Sequence, residues 1–500
     1  MNYIMALDLG TSSLKVMLLN EKADISFLKS VPYPTKKMQA GYSEQEPTCW
    51  IKAMKQAITA ALCVAPKESI AAVSFSGHMS TLLLLDEDKN PLHDCITLAD
   101  GRSTKQCEEL NSLLGDALLK NSGNCAINAF SMPKLLWMKE NHPDILAKTA
   151  FFVSAKDYLR YHLTGTLDTE YTDAYNSLLI NWETLSWNEE IISTLGFPRY
   201  IFPDVLKPYD VAGYVTSQAA AEFGLLEGTP VAAGAADMAC AAVGMNLWET
   251  GSCALTIGTS ATFLCAVEHP SQIGKNQITY HVHALPGHFY ALGSHFNGGL
   301  ALNWFSSVFS DDGKIDYQRI GTLSEEALQI PNGKSGILSI PFLIGSGSPY
   351  FCAEDSAAFL GVSQASSRSA LFKALLEGIA LNMKQSQTIF EQICGHKLQT
   401  VYLGGGGTHV KGWDQIFADV LNCTMTTADT TDASTVGAAL LGALSVQMFP
   451  DIRQISQSML KTSHSNVPNA LCVSRYQKLY DLYQNLYTTL HSYSSELKNV

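Results

Sequence analysis

Short apolar runs alternate along the chain with stretches of helical periodicity. In the first half, 3–9 and 14–19 read as strands. Residues 47–61 read as a helix, with apolar positions at Trp50, Ile51, Met54, Ala57 and Ile58. Segments 70–75 and 81–86 read as strands around the loop Ser76-Gly77-His78-Met79-Ser80, and Asp88-Lys89-Asn90 reads as a turn. A helix begins at Lys134 and ends before Pro143. Residues 231–233 form a short strand, and another helix starts near Asp237. The second half repeats the opening, with a hairpin over 253–267, strands near Tyr290 and Ile337, and a long helix over 369–393. Strand 401–403 enters a glycine run, and helices follow over 413–421 and the Gly/Ala-rich 435–444. Tyr476, Leu479, Tyr480, Tyr483, Leu486, Tyr487 and Leu490 recur at helical spacing, which predicts an amphipathic packing helix. No low-complexity linker interrupts this pattern. Residues 244–251 read as the boundary between a domain over 1–247 and a second over 248–500.

One pattern occurs in both halves. Ala6-Leu7-Asp8-Leu9-Gly10-Thr11-Ser12-Ser13-Leu14 aligns with Ala254-Leu255-Thr256-Ile257-Gly258-Thr259-Ser260-Ala261-Thr262. Each copy is a β-prone run, a Gly-Thr-Ser turn and a second apolar run, the sequence of a hairpin. Turn N–H groups and the Thr/Ser hydroxyls are donors suited to phosphate oxygens. Two such loops, one per half, point to related domains facing a cleft that holds a polyphosphate. Asp8 stands where the second copy has Thr256, so one half alone offers a carboxylate for Mg²⁺. Lys15, on the returning strand, is a point charge within reach of the same phosphates. Read singly, the first copy is equally a hairpin with a turn-capping Asp.

Composition narrows the class. The 500 residues suffice for two or three domains, and 46% hydrophobic with 16% charged residues is a globular balance. A formal net charge of −13, with no Lys/Arg run, argues against a nucleic-acid or anionic-membrane surface. The 12 cysteines are scattered with no C-x-x-C pair, as in reduced cytosolic proteins. The first residues lead into a strand with no signal-peptide pattern, and the Ala-rich 231–245 is too short to span a bilayer. Together these readings predict a cytoplasmic protein.

Several further residues carry both chemical and structural readings. Gly404, Gly405, Gly406 and Gly407, between strand and helix, allow close backbone approach to a ligand or form a flexible turn. Their spacing is not the dinucleotide-binding fingerprint. Gly437 is suited to close packing beside this run. Asp237 is either a helix N-cap or a general base kept ionised at a helix start. Asp100 and Arg102 bind substrate hydroxyls or form a surface ion pair. His78 and Met79 lie on a loop after a strand, where a lone His is more often structural. His281 and His283 share a strand face without a third ligand and are assigned structural roles, with no zinc.

These motifs together resemble the FGGY carbohydrate kinases over nearly the whole chain, closest to xylulokinase-like members. Asp8-Leu9-Gly10-Thr11-Ser12-Ser13-Leu14-Lys15 is similar to the first phosphate motif, and Leu255-Thr256-Ile257-Gly258-Thr259-Ser260 to the second. The segment from Lys134 through Trp137 to Asn141 resembles the first signature. Phe359-Leu360-Gly361 with Leu376-Glu377-Gly378 resembles the second. Gly234-Ala235-Ala236-Asp237 resembles the segment of the catalytic Asp, and the glycine run with Trp413, Gln415 and Asp419 the nucleotide motif. The resemblance implies an α/β fold of two actin-like, ribonuclease-H-like ATPase domains flanking a catalytic cleft. It implies ATP and Mg²⁺ as cofactors and phosphorylation of a sugar, sugar-acid or polyol hydroxyl. Asp237 would be the base and Asp8 the metal residue. Thr11, Ser12, Ser13, Lys15, Gly258, Thr259, Ser260, the glycine run and Gln415 would face ATP. His78, Met79, Asp100, Arg102 and Asp237 would face the sugar. A homodimer is compatible with the resemblance.

The sequence departs from the xylulokinase pattern around the expected sugar side. His78 and Ser80 replace the Gln and His of the G-Q-M-H-G loop, Leu98 replaces a Trp, and Ser346-Gly347 stands where many relatives of the family carry Glu-Arg. The acceptor implied first is a xylulose-like ketose, then gluconate or another sugar acid or polyol. A different class, an actin-like ATPase or a silent sugar sensor, would need no sugar-side base.

Overall fold

The computed structural model describes residues 1–36, 41–310, 313–428 and 432–498. The duplicated motif opens two sheets of the same topology. In the first, Tyr3–Leu9 pairs antiparallel with Ser13–Asn20, which pairs antiparallel with Ile25–Pro32. On its other side Tyr3–Leu9 runs parallel to Ile70–Gly77, and that strand to Pro230–Ala232. In the second, Cys253–Ile257 and Ala261–Val267 form the hairpin, and Phe289–His295 extends it antiparallel. Thr400–Gly404 and Thr424–Ala428 then add parallel strands. An antiparallel strand closes each parallel side, Val211–Tyr214 in one sheet and Thr462–Asn466 in the other. This is the expected two-domain α/β architecture. The strand Ile25–Pro32, absent from the sequence reading, is largely exposed and so lacks an apolar pattern.

Tyr3–Leu9 is buried on both faces, which makes its sequence a nearly continuous apolar run. Met5, Leu7 and Leu9 face the Pro47–Leu62 helix through Trp50, Met54 and Ile58. Ile4 and Ala6 face the opposite way, into a core shared with helices Asp237–Gly244 and Ala433–Ser445. Strand alternation therefore turns Asp8 towards that second helix.

The two helices come from different halves of the chain and touch backbone to backbone. A Cβ on Gly437 would stand 1.9 Å from the Cys240 carbonyl oxygen, and one on Gly244 2.1 Å from that of Ala433. Gly437 thus serves this helix pair, not the Gly404–Gly407 run beside which the sequence reading placed it. One turn on, a Cβ on Gly442 would stand 2.7 Å from the Ser74 Cβ, so the same helix also lies against the first sheet. Alanine and glycine dominate both helices because larger side chains would hold them apart. Among the described residues no helix is long and apolar enough to cross a membrane.

Two glycine substitutions separate this contact from ordinary helix propensity. Gly437→Ala lowers unfolding free energy by about 3 kcal/mol through overpacking. Gly115, inside the Thr104–Ser122 helix, has open space around its Cβ position. Gly115→Ala raises stability by about 0.5–1 kcal/mol. Urea denaturation of the intact chain measures both.

Candidate active site

Each Gly-Thr-Ser turn is closed by its glycine N–H, the first turn being one residue longer than the second. Gly10 N–H donates to the Ser13 carbonyl at 3.0 Å, and Gly258 N–H to that of Ser260 at 2.8 Å. Thr11, Ser12, Gly258, Thr259 and Ser260 are exposed and Ser13 is partly so, which puts N–H and hydroxyl donors on both hairpin tips. The second tip is cradled by glycines. A Cβ on Gly405 (φ +83°) would lie 2.5 Å from the Ile257 carbonyl oxygen, and one on Gly407 2.7 Å from the Ile257 Cβ. The glycine run is therefore pressed against the end of the second hairpin, with Gly405 and Gly406 exposed beside Gly258. Gly298 and Gly299, which the sequence reading did not single out, complete the cradle. Their N–H groups donate to the Thr259 and Gly258 carbonyls at 3.2 and 2.8 Å. Gln415 turns aside, its amide donating to Asp419 at 2.9 Å and to the Val467 carbonyl at 3.0 Å.

Asp8 lies opposite Lys15 across the first hairpin and Ser76 across the next strand. Its Oδ2 accepts from Ser434 Oγ at 3.0 Å and lies 3.5 Å from Lys15 Nζ. Lys15 also bonds both Asp432 oxygens, at 3.0 and 2.9 Å. Burial opposes the Lys15 charge, but Asp8 and Asp432 outweigh it and raise its pKa. Asp432, Ser434 and Thr435 were missed in the sequence. Their signal was a cluster of N-capping residue types immediately before an apolar helix. Among the described residues Asp8 Oδ1 is buried without a hydrogen-bond partner. A buried, unshared carboxylate oxygen beside phosphate-type turns is a donor set that fits a hydrated Mg²⁺.

Asp237 reaches the same end of the first sheet. Ala235 and Ala236 pair with Ser76 and Gly77, and the Asp237–Gly244 helix starts directly afterwards. The preceding Gly234 (φ +74°) passes so close to Phe75 that a Cβ would be 2.2 Å from its carbonyl oxygen. Ala236 N–H is held by Thr172 Oγ1 at 2.9 Å. Asp237 Oδ1 accepts from Met238 N–H at 2.8 Å. Burial, then the charge of Asp8, push its pKa up to about 7, against donors at Met238 and Met79. A carboxyl tuned to neutral pH suits proton abstraction.

His78 follows strand Ile70–Gly77, its N–H donating to the Leu9 carbonyl at 2.8 Å. Its ring is buried, and among the described residues both nitrogens lack partners. Burial lowers its pKa to about 4, so it is a neutral ring at physiological pH. Met79 beside it is buried too. Lys134 Nζ binds the Ser80, Ala129 and Phe130 carbonyls and fastens this loop from behind.

Asp100 and Arg102 form a buried pair, and the surface ion-pair reading is corrected. Their side chains are 0% and 4% exposed. Asp100 accepts from Ser43 N–H at 2.6 Å and from Arg102 Nε at 2.8 Å. Arg102 also binds Glu44 at 2.6 Å and lies 3.8 Å above the Tyr42 ring. The pair thus anchors the 41–46 segment, and its hydrogen-bonding capacity is largely used internally. Ser346 Oγ donates to Asp355 at 2.6 Å. His281 is bonded to Thr279 and Asn176 at 2.8 and 2.9 Å, a satisfied structural histidine.

Known proteins resemble this chain over its full length. Residues 3–244 match the family model "FGGY family of carbohydrate kinases, N-terminal domain", and 253–446 match that of its C-terminal domain. A xylulose kinase of Bacillus subtilis is 32% identical over 501 residues, covering 100% of this chain and 99% of its own. One of Lactococcus lactis is 30% identical over 501 residues, covering 99% of each. The ligand-bound xylulose kinase of Lactobacillus acidophilus, 23% identical, shares the fold with a TM-score of 0.92 over 99% of this chain and 100% of that one. The chain belongs to the FGGY family of carbohydrate kinases, phosphotransferases acting on a sugar hydroxyl, on an actin-like ATPase fold.

Proposed function

We propose that this kinase transfers the γ-phosphoryl group of ATP, bound with Mg²⁺, to a hydroxyl of a neutral ketose of the xylulose type. The observation that carries the reading is the convergence of Asp8, His78 and Asp237 at the carboxyl ends of adjacent strands, beside the first Gly-Thr-Ser turn. Asp237 takes the proton of the acceptor hydroxyl as its oxygen bonds to the γ-phosphorus. The bond to the β–γ bridging oxygen breaks, and ADP leaves. Thr11, Ser12, Ser13, Thr259, Ser260 and the N–H groups of Gly258 and Gly405–Gly407 receive phosphate and nucleotide. Lys15 adds positive charge on the first side. Asp8 holds Mg²⁺, which supplies neutralisation of phosphate charge. Gln415 is a support of the nucleotide side, through Asp419. Residues 1–247 and 248–500 act as the two closing halves, hinged at the Gly437–Cys240 and Gly244–Ala433 contacts, and closure excludes water.

Charge bookkeeping favours a ketose over an aldonate. Arg102 is matched by Asp100 and Glu44, and Lys15 by Asp8 and Asp432. Lys134 is buried among carbonyls, and burial brings its pKa down to about 7. None of these cations is left to bind a substrate carboxylate. His78, neutral, offers one ring donor and one acceptor to hydroxyls. Among pentuloses, hexuloses, aldonates and polyols, a ketopentose gives the fastest ADP release with Mg·ATP. An aldonate in first place overturns the ketose assignment.

Asp237→Asn lowers kcat by about 10³-fold with ATP affinity unchanged, measured by ADP release and nucleotide titration. Because the ionised form is the base, kcat/KM falls about tenfold per pH unit below about 7 and is flat above it. The residual rate of the variant loses that slope. Asp8→Asn raises the Mg²⁺ concentration for half-maximal rate at least about tenfold. An unchanged Mg²⁺ dependence removes that role from Asp8.

A further inference from the structure

A second group of ligand-type side chains lies between the segment after strand Leu338–Ile340 and the C-terminal helix Ala470–Lys498. Cys352, Asp355 and His491 each offer one ligand atom, and these atoms lie within 4.8 Å of one another. Among the described residues this is the one such trio of His, Cys or acidic residues. We propose that it is a binding site for a divalent transition-metal cation of the zinc class, separate from the Mg²⁺ residue Asp8.

Donor chemistry carries the assignment. A thiolate, an imidazole and a single carboxylate oxygen are the ligands Zn²⁺ and Co²⁺ select, whereas Mg²⁺ prefers oxygen alone. The carboxylate is the fixed point of the site, with Asp355 1% exposed. Its Oδ1 faces His491 Nδ1 at 2.7 Å. Its Oδ2 accepts from Ser346 Oγ at 2.6 Å and from Tyr487 Oη at 3.0 Å. Outer donors on the non-ligating oxygen are what orients a metal-binding carboxylate. They are fixed in turn. Ser346 is tied to Cys352, donating N–H to its carbonyl at 2.9 Å and accepting its N–H at Oγ at 3.1 Å. The Tyr487 ring stacks on Tyr350 with centroids 3.4 Å apart.

The other two ligands can adjust. His491 is 49% exposed and Cys352 partly so. Tetrahedral bonds of about 2.0–2.3 Å place ligand atoms about 3.3–3.7 Å apart, so closure needs side-chain shifts of about 1 Å. The solvent side of His491 leaves the fourth position to water. Binding releases the Cys352 thiol proton and exchanges the Asp355–His491 hydrogen bond for two metal bonds. Tyr487 and His491 lie one helical turn apart, so the cation would clamp the C-terminal helix to the 346–355 segment. That segment lies on the second sheet, where a Cβ on Gly347 would stand 2.1 Å from the Ser294 carbonyl oxygen. The Ser346-Gly347 departure from the family pattern thus supplies both the carboxylate's donor and this close approach.

The test is Co²⁺ titration of the full-length, chelator-treated protein with excess Mg²⁺ present. The expected result is a near-ultraviolet thiolate-to-cobalt charge-transfer band with visible bands of a tetrahedral site, displaced by Zn²⁺. Cys352→Ser abolishes the charge-transfer band. His491→Ala weakens Co²⁺ binding at least about tenfold. Zn²⁺ raises the melting temperature of the wild type and of neither variant. No charge-transfer band in the wild type, or one retained in Cys352→Ser because another thiol binds, overturns the proposal.

Discussion

The closest constraint in this molecule is the backbone contact between the Asp237–Gly244 and Ala433–Ser445 helices. Glycine at 244 and 437 lets each helix rest on a carbonyl of the other. The first helix begins with Asp237, and the second with the Asp432–Thr435 cluster. The two contacts run antiparallel, 240 against 437 and 244 against 433. The Asp432–Thr435 end of the second helix meets Asp8 and Lys15 on neighbouring strands, and Asp237 is delivered towards them by Ala235–Ala236. Three carboxylates, two from the first half of the chain and one from the second, share a neighbourhood with a single lysine. Burial and Asp8 both raise the pKa of Asp237 and of Asp432, each opposing a second negative charge close by. A site that repels its own negative charge is primed for a cation, and phosphate follows the cation.

Beneath Asp237 lies a second electrostatic arrangement, wholly buried. Lys156 Nζ contacts Asp157, Glu170 and Asp173 at 2.7, 3.5 and 3.3 Å, and Arg160 contacts Asp157 at 2.9 Å. Burial pushes the Asp173 carboxyl up to about 8, which reduces the excess of negative charge. Glu170 binds Thr172, and Thr172 binds the Ala236 N–H. Arg160 holds the Ala233 carbonyl at 2.6 Å. Such clusters add little net stability, yet losing one partner costs about 3–5 kcal/mol. Their consequence here is geometric. The strand that delivers Asp237 is gripped on both sides of Gly234, whose left-handed backbone suits glycine alone.

Much of this fold was legible along the chain. Elements with a strong period came out nearly residue for residue, as at Tyr3–Leu9, Trp413–Leu421 and Arg368–Cys394. Strands exposed on one edge did not, because Ile25–Pro32 carries few buried side chains to create a pattern. Asp8, His78 and Asp237 were legible as candidates because each follows or ends an apolar run. Asp432, Ser434 and Gly298 were not, since capping residues and single glycines occur at many loop ends. The buried state of Asp100 and Arg102 was also invisible, because a Asp-Gly-Arg loop reads alike on a surface and in an interior.

By itself the sequence determined the duplicated hairpin, the class of fold and the position of one carboxylate per strand end. Those properties are local, set by side-chain period and turn chemistry within a few residues. Only the tertiary structure decided that Gly437 meets Cys240, that Lys15 is shared by Asp8 and Asp432, and that Cys352 approaches His491. Each joins residues far apart in the chain through the packing of small side chains or the burial of charge. The charge state of Asp237 belongs with them. Its pKa comes from desolvation and from Asp8 on another strand, and neither is a property of its own segment.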